Sequence, residues 1–163
     1  MADADVGDLE AMLEAQSFPR MAAERLIACL RAIREQRGAV DLRHLSNLET
    51  GEAIDWLERL PGVVRKISAQ VMNTSTFDRP VMVIEGHHRR IMQRMGLVPE
   101  KADTLRCYNA LMPALPAQWT GADMDEHHLL LKKLGQTLCR PSRAACGDCP
   151  VAADCETGRR RAA

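Results

Sequence analysis

Apolar residues recur three and four positions apart along most of the chain, which is the period of amphipathic α-helices. The clearest stretches are 22–33, 54–60, 91–95 and 129–134. Gly38 and Gly96 follow two of these stretches and are typical helix stop signals. Asp103 is a candidate N-cap for a helix that runs through Met112 and is closed by Pro113. The pattern therefore predicts a chain built from helices.

Strand signals are nearly absent, since the only candidate is the short segment Val81–Ile84. Hydrophobic residues make up 46% of the 163 positions, enough for the core of one domain or two small lobes. We therefore predict an all-α protein, with linkers at Thr76–Pro80 and Pro113–Gly121. The apolar runs are too short to span a membrane, and residues 1–5 do not resemble a secretory signal. We expect a cytosolic protein.

Residues 57–69, LERLPGVVRKISA, predict two helices joined by a tight turn. Pro61 and Gly62 break the first helix, and a helical pattern resumes at Arg65. Lys66 follows at the start of the second helix. A lysine in that position is usually a surface residue, but its amine is also the nucleophile that Schiff-base chemistry requires.

Four cysteines near the end of the chain have the spacing C-x6-C-x2-C-x5-C: Cys139, Cys146, Cys149 and Cys155. Four thiolates suit an iron–sulfur cluster or a zinc ion. Structural zinc usually takes two tight cysteine pairs, and only one such pair occurs here, so the spacing favours a cluster. Two disulfides are the remaining alternative. Cys29 and Cys107 lie in helical apolar patterns, and we expect them to be buried core thiols.

Charge alone does not indicate nucleic-acid binding, because 22 basic residues balance 22 acidic ones. The acidic residues concentrate in the first 60 positions, whereas basic residues cluster after the hairpin and around the cysteines. A single basic cluster is usually a solvated helix face. The association of these clusters with both motifs indicates a local phosphate-binding surface.

The hairpin and the cysteine spacing, in this order, resemble the endonuclease III branch of the helix-hairpin-helix DNA glycosylases. That family's hairpin reads L-P-G-V-G-R-K, and its cluster loop has the same cysteine spacing. The resemblance runs from about Leu13 to Cys155. It implies a six-helix barrel that carries the hairpin, packed on a cluster lobe, with DNA in the cleft between them.

The family's early helices have no counterpart here, so we expect a partial helical barrel and a C-terminal iron–sulfur cluster lobe. A fragment, a misassigned start and a natural short form all stay open. The expected segments are a partial barrel at 1–79 with its hairpin at 57–73, and a cluster lobe at 80–163 with its cluster loop at 139–155.

The resemblance implies catalytic roles for Lys66 and Glu85. Lys66 occupies the position of the family's catalytic lysine, which attacks C1′ of a damaged nucleoside, expels the base and cleaves the strand by β-elimination. The sequence Ile84-Glu85-Gly86-His87 stands where the family has V-D-T-H. Glu85 therefore replaces an aspartate, and either carboxylate can accept a proton. The implied activity is base-excision repair, by a DNA glycosylase and AP lyase.

The resemblance also implies DNA contacts at seven positions: Gly62, Val64, Arg65, His87, Arg90, Arg140 and Arg143. Val64 replaces the family's second hairpin glycine, and a β-branched residue resists positive φ, so we expect weaker phosphate binding there. Arg140 and Arg143 lie between the first two cysteines. We expect three further histidines, His88, His127 and His128, to be core or surface residues.

The expected cofactor is one 4Fe–4S cluster held by the four cysteines. The expected partner is double-stranded DNA that contains damaged bases or abasic sites, bound by a monomer in the bacterial cytoplasm at the nucleoid. Two alternatives stay open. The first is a non-catalytic iron–sulfur DNA-binding remnant of the family, and the more distant one is a zinc-binding interaction module.

Overall fold

The computed structural model describes residues 1–162, and within that range it contains helices and no β-strand. The α-helices are α1 (Val6–Met12), α2 (Pro19–Arg37), α3 (Thr50–Glu58), α4 (Arg65–Thr74), α5 (Gly86–Met95), α6 (Thr104–Leu111), α7 (Gly121–Thr137) and α8 (Glu156–Ala162). Short 3₁₀ turns span Arg43–Asn47, Met112–Ala114 and Cys146–Asp148. The all-α prediction is confirmed. None of the described helices is long and apolar enough to cross a membrane.

The chain divides into two compact units, Met1–Ser68 and Ala69–Ala163. The division falls within α4. The boundary predicted between residues 79 and 80 lies inside the second unit, and the assignment of barrel and cluster lobes stays a prediction.

In the first unit, α1 packs against α2 through a small apolar cluster of Leu9, Ala23 and Ile27. α2 begins with Pro19, whose fixed φ suits a first helical position. It ends at Gly38, which has a φ of 77° and donates its N–H to the carbonyl oxygen of Arg34. The predicted stop signal at Gly38 is therefore confirmed, since a left-handed C-cap favours glycine.

The predicted hairpin, two helices joined by a tight turn, is also confirmed. α3 buries Ala53, Ile54 and Leu57, and the turn after it places Gly62 at a φ of 77°. A side chain at this position would be strained in that conformation. α4 then starts at Arg65, where the sequence pattern predicts it.

The second unit has its core around the segment Val81–Ile84, whose four side chains are buried. This segment is not a strand, which corrects the only strand candidate from the sequence. Its backbone instead pairs with a side chain, because Asn73 donates Nδ2–H to the Val81 carbonyl oxygen (2.7 Å) and accepts the Val81 N–H at Oδ1 (2.8 Å). Asn73 is itself buried, and it satisfies backbone groups that a neighbouring strand would otherwise bond.

Helices α5, α6 and α7 complete this core. Ile91 and Met92 of α5 pack with Cys107 and Leu111 of α6, while Leu134 of α7 packs against the same cluster. Cys107 is fully buried, as predicted, whereas Cys29 in the first unit is only half-buried.

The ends of these helices follow the predicted signals. Gly96 ends α5 with a φ of 83°, and Asp103 caps α6 by accepting the N–H of Arg106 (2.8 Å). α6 stops at Leu111, one residue earlier than predicted, because Met112 opens a 3₁₀ turn.

Candidate active site and metal centre

The start of α4 leaves a backbone amide available to an anion. The carbonyl oxygen of Val64 accepts the N–H groups of Ile67 (2.7 Å) and Ser68 (3.1 Å), so Val64 occupies the cap position. The Lys66 amide precedes Ile67, the first N–H that bonds within the helical ladder, so it is one of the amides that a helix leaves available at its N-terminus. Such amides, together with the helix dipole, favour a phosphate group.

Val64 takes this cap position without the glycine-like backbone expected of the family. Asp78 is the single non-glycine residue with positive φ within residues 1–162, so Val64 keeps an ordinary φ. Its side chain is 59% exposed. A β-branched side chain therefore lies on the surface at the start of α4.

Arg65 is engaged inside the hairpin. Its guanidinium donates Nε–H to Glu58 Oε1 (2.5 Å) and Nη2–H to Oε2 (3.2 Å), and the buried Ser68 hydroxyl donates to the same carboxylate (2.8 Å). Glu58 thus joins the end of α3 to the first turn of α4. The predicted phosphate contact of Arg65 stays a prediction, and its side chain has a clear structural role in holding the turn.

Lys66 is the second residue of α4, and its side chain is exposed. No ion pair involves Lys66 within the described part of the chain. Its amine is therefore accessible to a substrate from solution. Lys66 belongs to the first unit, and the other predicted catalytic residue, Glu85, belongs to the second.

Glu85 is the N-cap of α5. Its Oε1 accepts the N–H of His87 (3.1 Å), and its carbonyl oxygen accepts the N–H of Arg89. A carboxylate at this end of a helix interacts favourably with the dipole. The Glu85 side chain thus caps α5, and the residue is half-buried.

Arg90 holds the end of α7 against α5. It donates Nε–H to the Cys139 carbonyl oxygen (3.0 Å) and Nη2–H to the carbonyl oxygens of Gly135 (2.9 Å) and Cys139 (2.9 Å). His87 Nδ1 lies 3.0 Å from the same Nη2. A Cβ on Gly135 would stand 2.6 Å from the Cβ of His87, so only glycine permits this approach. DNA contacts by His87 and Arg90 stay predictions.

The four predicted metal ligands line a single cavity. Cys139, Cys146, Cys149 and Cys155 are all free thiols and all half-buried. The free thiols exclude the two-disulfide alternative in this structure. Apolar side chains, among them Ile91 and Leu134, form much of the remaining wall.

Within residues 1–162, no group of three or more His, Cys, Asp or Glu side chains is arranged as a metal site. The chemistry of the cavity nevertheless fits a soft centre. Its wall contributes four thiols, the thioether of Met95 and no carboxylate, and thiolates are the usual ligands of iron–sulfur clusters.

Arg94 contacts the candidate metal centre, whereas the sequence assigned it only to a basic cluster with Arg89 and Arg90. Its Nη1–H groups donate to Cys139 Sγ (3.2 Å) and to the Arg140 carbonyl oxygen (2.8 Å). Its own carbonyl oxygen accepts the thiol of Cys155 (3.3 Å) and the hydroxyl of Thr157 (2.8 Å). One residue therefore connects the first and the last cysteine. Its spacing of four from Arg90 on α5 is the signal that both point toward the cysteine loop.

The loop between the first two cysteines carries both predicted basic contacts on its surface. Arg140 and Arg143 are exposed. Arg140 donates Nε–H to the carbonyl oxygens of Gln136 (3.0 Å) and Thr137 (3.1 Å), which caps the end of α7. From the tail, Arg161 donates to the Ala144 carbonyl oxygen (3.0 Å). Positive charge therefore borders this loop on both sides.

Comparisons with known proteins agree with these features. No family model matches the chain. The endonuclease III of Thermotoga maritima is 27% identical over 165 residues, which is 99% of this chain and 68% of that protein. The endonuclease III of Escherichia coli K12 is 31% identical over 134 residues, 82% of this chain and 56% of that protein. The Bacillus subtilis endonuclease III is 31% identical over 108 residues, 66% of this chain and 47% of that protein.

Solved structures give the same answer for the fold. A trapped endonuclease III–DNA covalent intermediate has a TM-score of 0.72 at 22% identity, over 99% of this chain and 70% of that one. A non-covalent endonuclease III–DNA complex has a TM-score of 0.71 at 22% identity, over 99% and 69%. The chain is an endonuclease III-like protein. It spans about half to two thirds of the length of the curated relatives named above.

Of the five histidines of this endonuclease III-like chain, His88 and His128 are buried and the other three are half-buried. His88 is fully buried, and its Nδ1 lies 2.9 Å from the Val83 carbonyl oxygen. Burial lowers the pKa of His88 to about 4. The rings of His88 and His127 meet edge to face, with their centroids 5.1 Å apart. His88 is thus a neutral core residue at physiological pH.

Proposed function

We propose that the chain is a base-excision-repair DNA glycosylase with AP-lyase activity on damaged bases and abasic sites. The observation that carries the proposal is the exposed Lys66 in the first turn of α4, directly after the hairpin turn. The residue type, its place and the hairpin before it all match the position of the catalytic lysine in the resembled family. The likeness to a trapped endonuclease III–DNA covalent intermediate supports the same chemistry.

In the proposed reaction, the Lys66 amine attacks C1′ of the damaged nucleoside, and the bond to the base breaks. The base leaves with the bonding electron pair and takes up a proton. Breakage of the C1′–O4′ bond then gives an imine between C1′ and the amine. Loss of a proton from C2′ expels the 3′ phosphate by β-elimination. The Glu85 carboxylate assists by stabilising positive charge that develops at C1′ and by accepting a proton.

DNA binding in this proposal rests on phosphate contacts by one copy of the chain. The Lys66 and Gly62 amides bind one phosphate, and Arg140 and Arg143 bind another part of the DNA backbone. Such contacts position the protein without reading sequence. Arg65 stabilises the hairpin through its bonds to Glu58, and Arg90 stabilises the end of α7, from which the loop with Arg140 and Arg143 begins. Because the proposed substrate is DNA, we place this activity at the bacterial nucleoid.

We also propose that the four cysteines hold one 4Fe–4S cluster. When bound, such a cluster supplies a fixed anchor for the loop between Cys139 and Cys146. The protein's own contribution is the N–H donor that Arg94 directs at Cys139 Sγ and the apolar wall around the sulfurs. Hydrogen bonds to cluster sulfurs and exclusion of water are the means by which proteins adjust these centres.

The activity is tested with a duplex that contains one abasic site, with borohydride present or absent. The proposal predicts strand cleavage in its absence and a covalent protein–DNA adduct in its presence, because borohydride reduces the imine to a stable amine. An undamaged duplex is the control and yields neither product. Binding to the abasic duplex with no cleavage and no adduct contradicts the proposal.

A second function, a non-catalytic iron–sulfur DNA-binding protein, is favoured by Val64 and Glu85. The exposed valine replaces a glycine where the backbone must approach a phosphate, and the carboxylate is one methylene longer than in the family. A misplacement of about 1 Å can cost about a hundredfold in rate. If the wild-type chain fails to trap and the Val64→Gly, Glu85→Asp double variant succeeds, the second function is correct for the natural sequence.

A further inference from the structure

Two buried polar side chains bind the backbone of the segment that leads to Glu85. Asn73 is 4% exposed and bonds both backbone groups of Val81. His88 is fully buried, and its Nδ1 lies 2.9 Å from the Val83 carbonyl oxygen. A carbonyl oxygen can only accept, so Nδ1 of His88 carries the proton and donates it. Of the four buried polar side chains within residues 1–162, two are therefore bonded to this one short segment.

The helix that supplies Asn73 is itself held in place. Gln70 of α4 donates Nε2–H to Asp125 Oδ1 of α7 (2.7 Å). At the start of α7, a Cβ on Gly121 would stand 2.8 Å from the Asn73 carbonyl oxygen, so only glycine permits this approach. The end of α4 that belongs to the second unit thus packs directly on α7, and Asn73 is a fixed anchor for the segment that it bonds.

The segment extends from this anchor to the candidate catalytic carboxylate. All four side chains of Val81–Ile84 are buried, and Glu85 follows Ile84 directly, so the backbone of Glu85 begins at a fixed point. Glu85 then caps α5 by accepting the N–H of His87 (3.1 Å). Because the segment forms no strand, the two buried side chains supply hydrogen bonds that a neighbouring strand would otherwise provide.

We propose that Asn73 and His88 are positioning residues that fix the location of the Glu85 carboxylate. The inference rests on the proposed function, in which Glu85 assists the reaction at C1′. Neither side chain touches DNA in that reaction, and each acts through the backbone of Val81–Ile84. A displacement of about 1 Å at a catalytic group can cost about a hundredfold in rate. Removing either side chain should therefore slow the bound complex and leave the affinity for DNA nearly unchanged.

Asn73→Ala tests this by single-turnover cleavage of a duplex that contains one abasic site. At saturating protein we expect the rate to fall at least about tenfold, while the Kd for the duplex stays within about twofold. The decisive comparison is the same substitution in a Glu85→Gln background. A residue that acts through the carboxylate costs little once the carboxylate is gone, so this second loss should be less than about twofold. Leu9→Ala, in the apolar cluster of the first unit, is the control for a general loss of stability and should cleave like the wild type.

Two further measurements cover an Asn73→Ala variant that does not fold and a chain that does not react. His88→Phe removes the bond to Val83 but keeps a ring in the core, and its rate should fall about threefold or more, again only when Glu85 is present. Hydrogen exchange measured by NMR needs no activity. The amides of His87 and Arg89 bond Glu85, so they should exchange faster in either variant than in the wild type.

Three results would overturn the inference. Equal rate losses with and without the Glu85 carboxylate would show a general structural role. A loss in Kd instead of the rate would show that the two side chains support DNA binding. Unchanged exchange at His87 and Arg89 would show that Glu85 is held by other contacts. A wild-type chain that neither cleaves nor traps abasic DNA would refute the proposed function instead, and the exchange measurement would still decide whether Asn73 and His88 hold Glu85 in place.

Discussion

The hairpin depends on one carboxylate, and Glu58→Gln measures its contribution. The substitution keeps the size and one acceptor oxygen of the side chain but removes its charge. It therefore weakens the two bonds from Arg65 while leaving Ser68 an acceptor. The pair is well shielded from solvent, since the Arg65 and Glu58 side chains are only 28% and 27% exposed.

The expected loss follows from that geometry. A charge-assisted bidentate pair at this degree of burial contributes about 2 kcal/mol, between a surface pair and a fully buried one. For a chain of this length, about 2 kcal/mol lowers Tm by about 4–8 °C. The free energy of unfolding in urea should fall by the same amount, with an unchanged m-value. Glu14→Gln, on an exposed residue, is the control and should stay within about 0.5 kcal/mol of the wild type.

A double-mutant cycle with Arg65→Gln identifies the partner. Because Glu58 and Arg65 stabilise the hairpin through each other, the double variant should lose about 1–2 kcal/mol less than the sum of the single variants. A Glu58→Gln variant that melts within about 1 °C of the wild type would refute the bridging role. Fully additive losses would show that the two side chains act separately.

Three further outcomes are expected. His88→Gln should flatten the pH dependence of stability, because the unfolded imidazole takes up a proton below about pH 6.5 and the native one only near pH 4. The free energy of unfolding of the wild type should therefore fall by about 2 kcal/mol between pH 7 and pH 5. Urea unfolding at both pH values measures this fall, and an equal fall in the variant would contradict the prediction. Arg94→Gln should speed the loss of iron to a chelator several-fold relative to Arg106→Gln. Equal rates would show that the bond from Arg94 to the Cys139 sulfur does not help to retain the metal. Cys149→Ala should reduce the iron content of anaerobically purified protein well below that of Cys29→Ala, and equal iron content would remove the metal role of the four cysteines.

Local signals explain why the hairpin was predictable. Pro61 and Gly62 act on the backbone within one turn, so their effect does not depend on distant contacts. The same holds for Gly38 and Asp103, whose caps lie where the sequence predicts them. The four closely spaced cysteines line one cavity because short loops connect them, and their role as metal ligands stays a prediction.

Features that depend on the folded chain were missed. Glu58 and Arg65 are seven residues apart and meet only when the turn reverses the chain. Val81–Ile84 has the composition of a strand, but it forms no strand, because its Val81 backbone groups bond the Asn73 side chain. Arg94 approaches Cys139 from another helix, 45 positions away in sequence. Periodicity describes one element at a time, so contacts between elements lie beyond it.

The run of three leucines in α7 does not show which of its side chains face the core. Leu129, Leu130 and Leu131 together mark α7 as a helix, but three adjacent side chains cannot all point to one side. The structure turns Leu131 toward the core and leaves the other two exposed. The run therefore predicted the helix correctly but did not indicate which of the three leucines are exposed in this chain.

The most direct test of the central claim is to locate the borohydride-trapped DNA on the protein. The chain has four lysines, Lys66, Lys101, Lys132 and Lys133, so peptide mapping by mass spectrometry distinguishes every candidate side chain and the terminal amine. We predict a single reduced adduct on Lys66, no adduct in Lys66→Ala, and duplex binding by that variant close to the wild type. An adduct on another amine, or trapping that survives in Lys66→Ala, would contradict the proposed nucleophile.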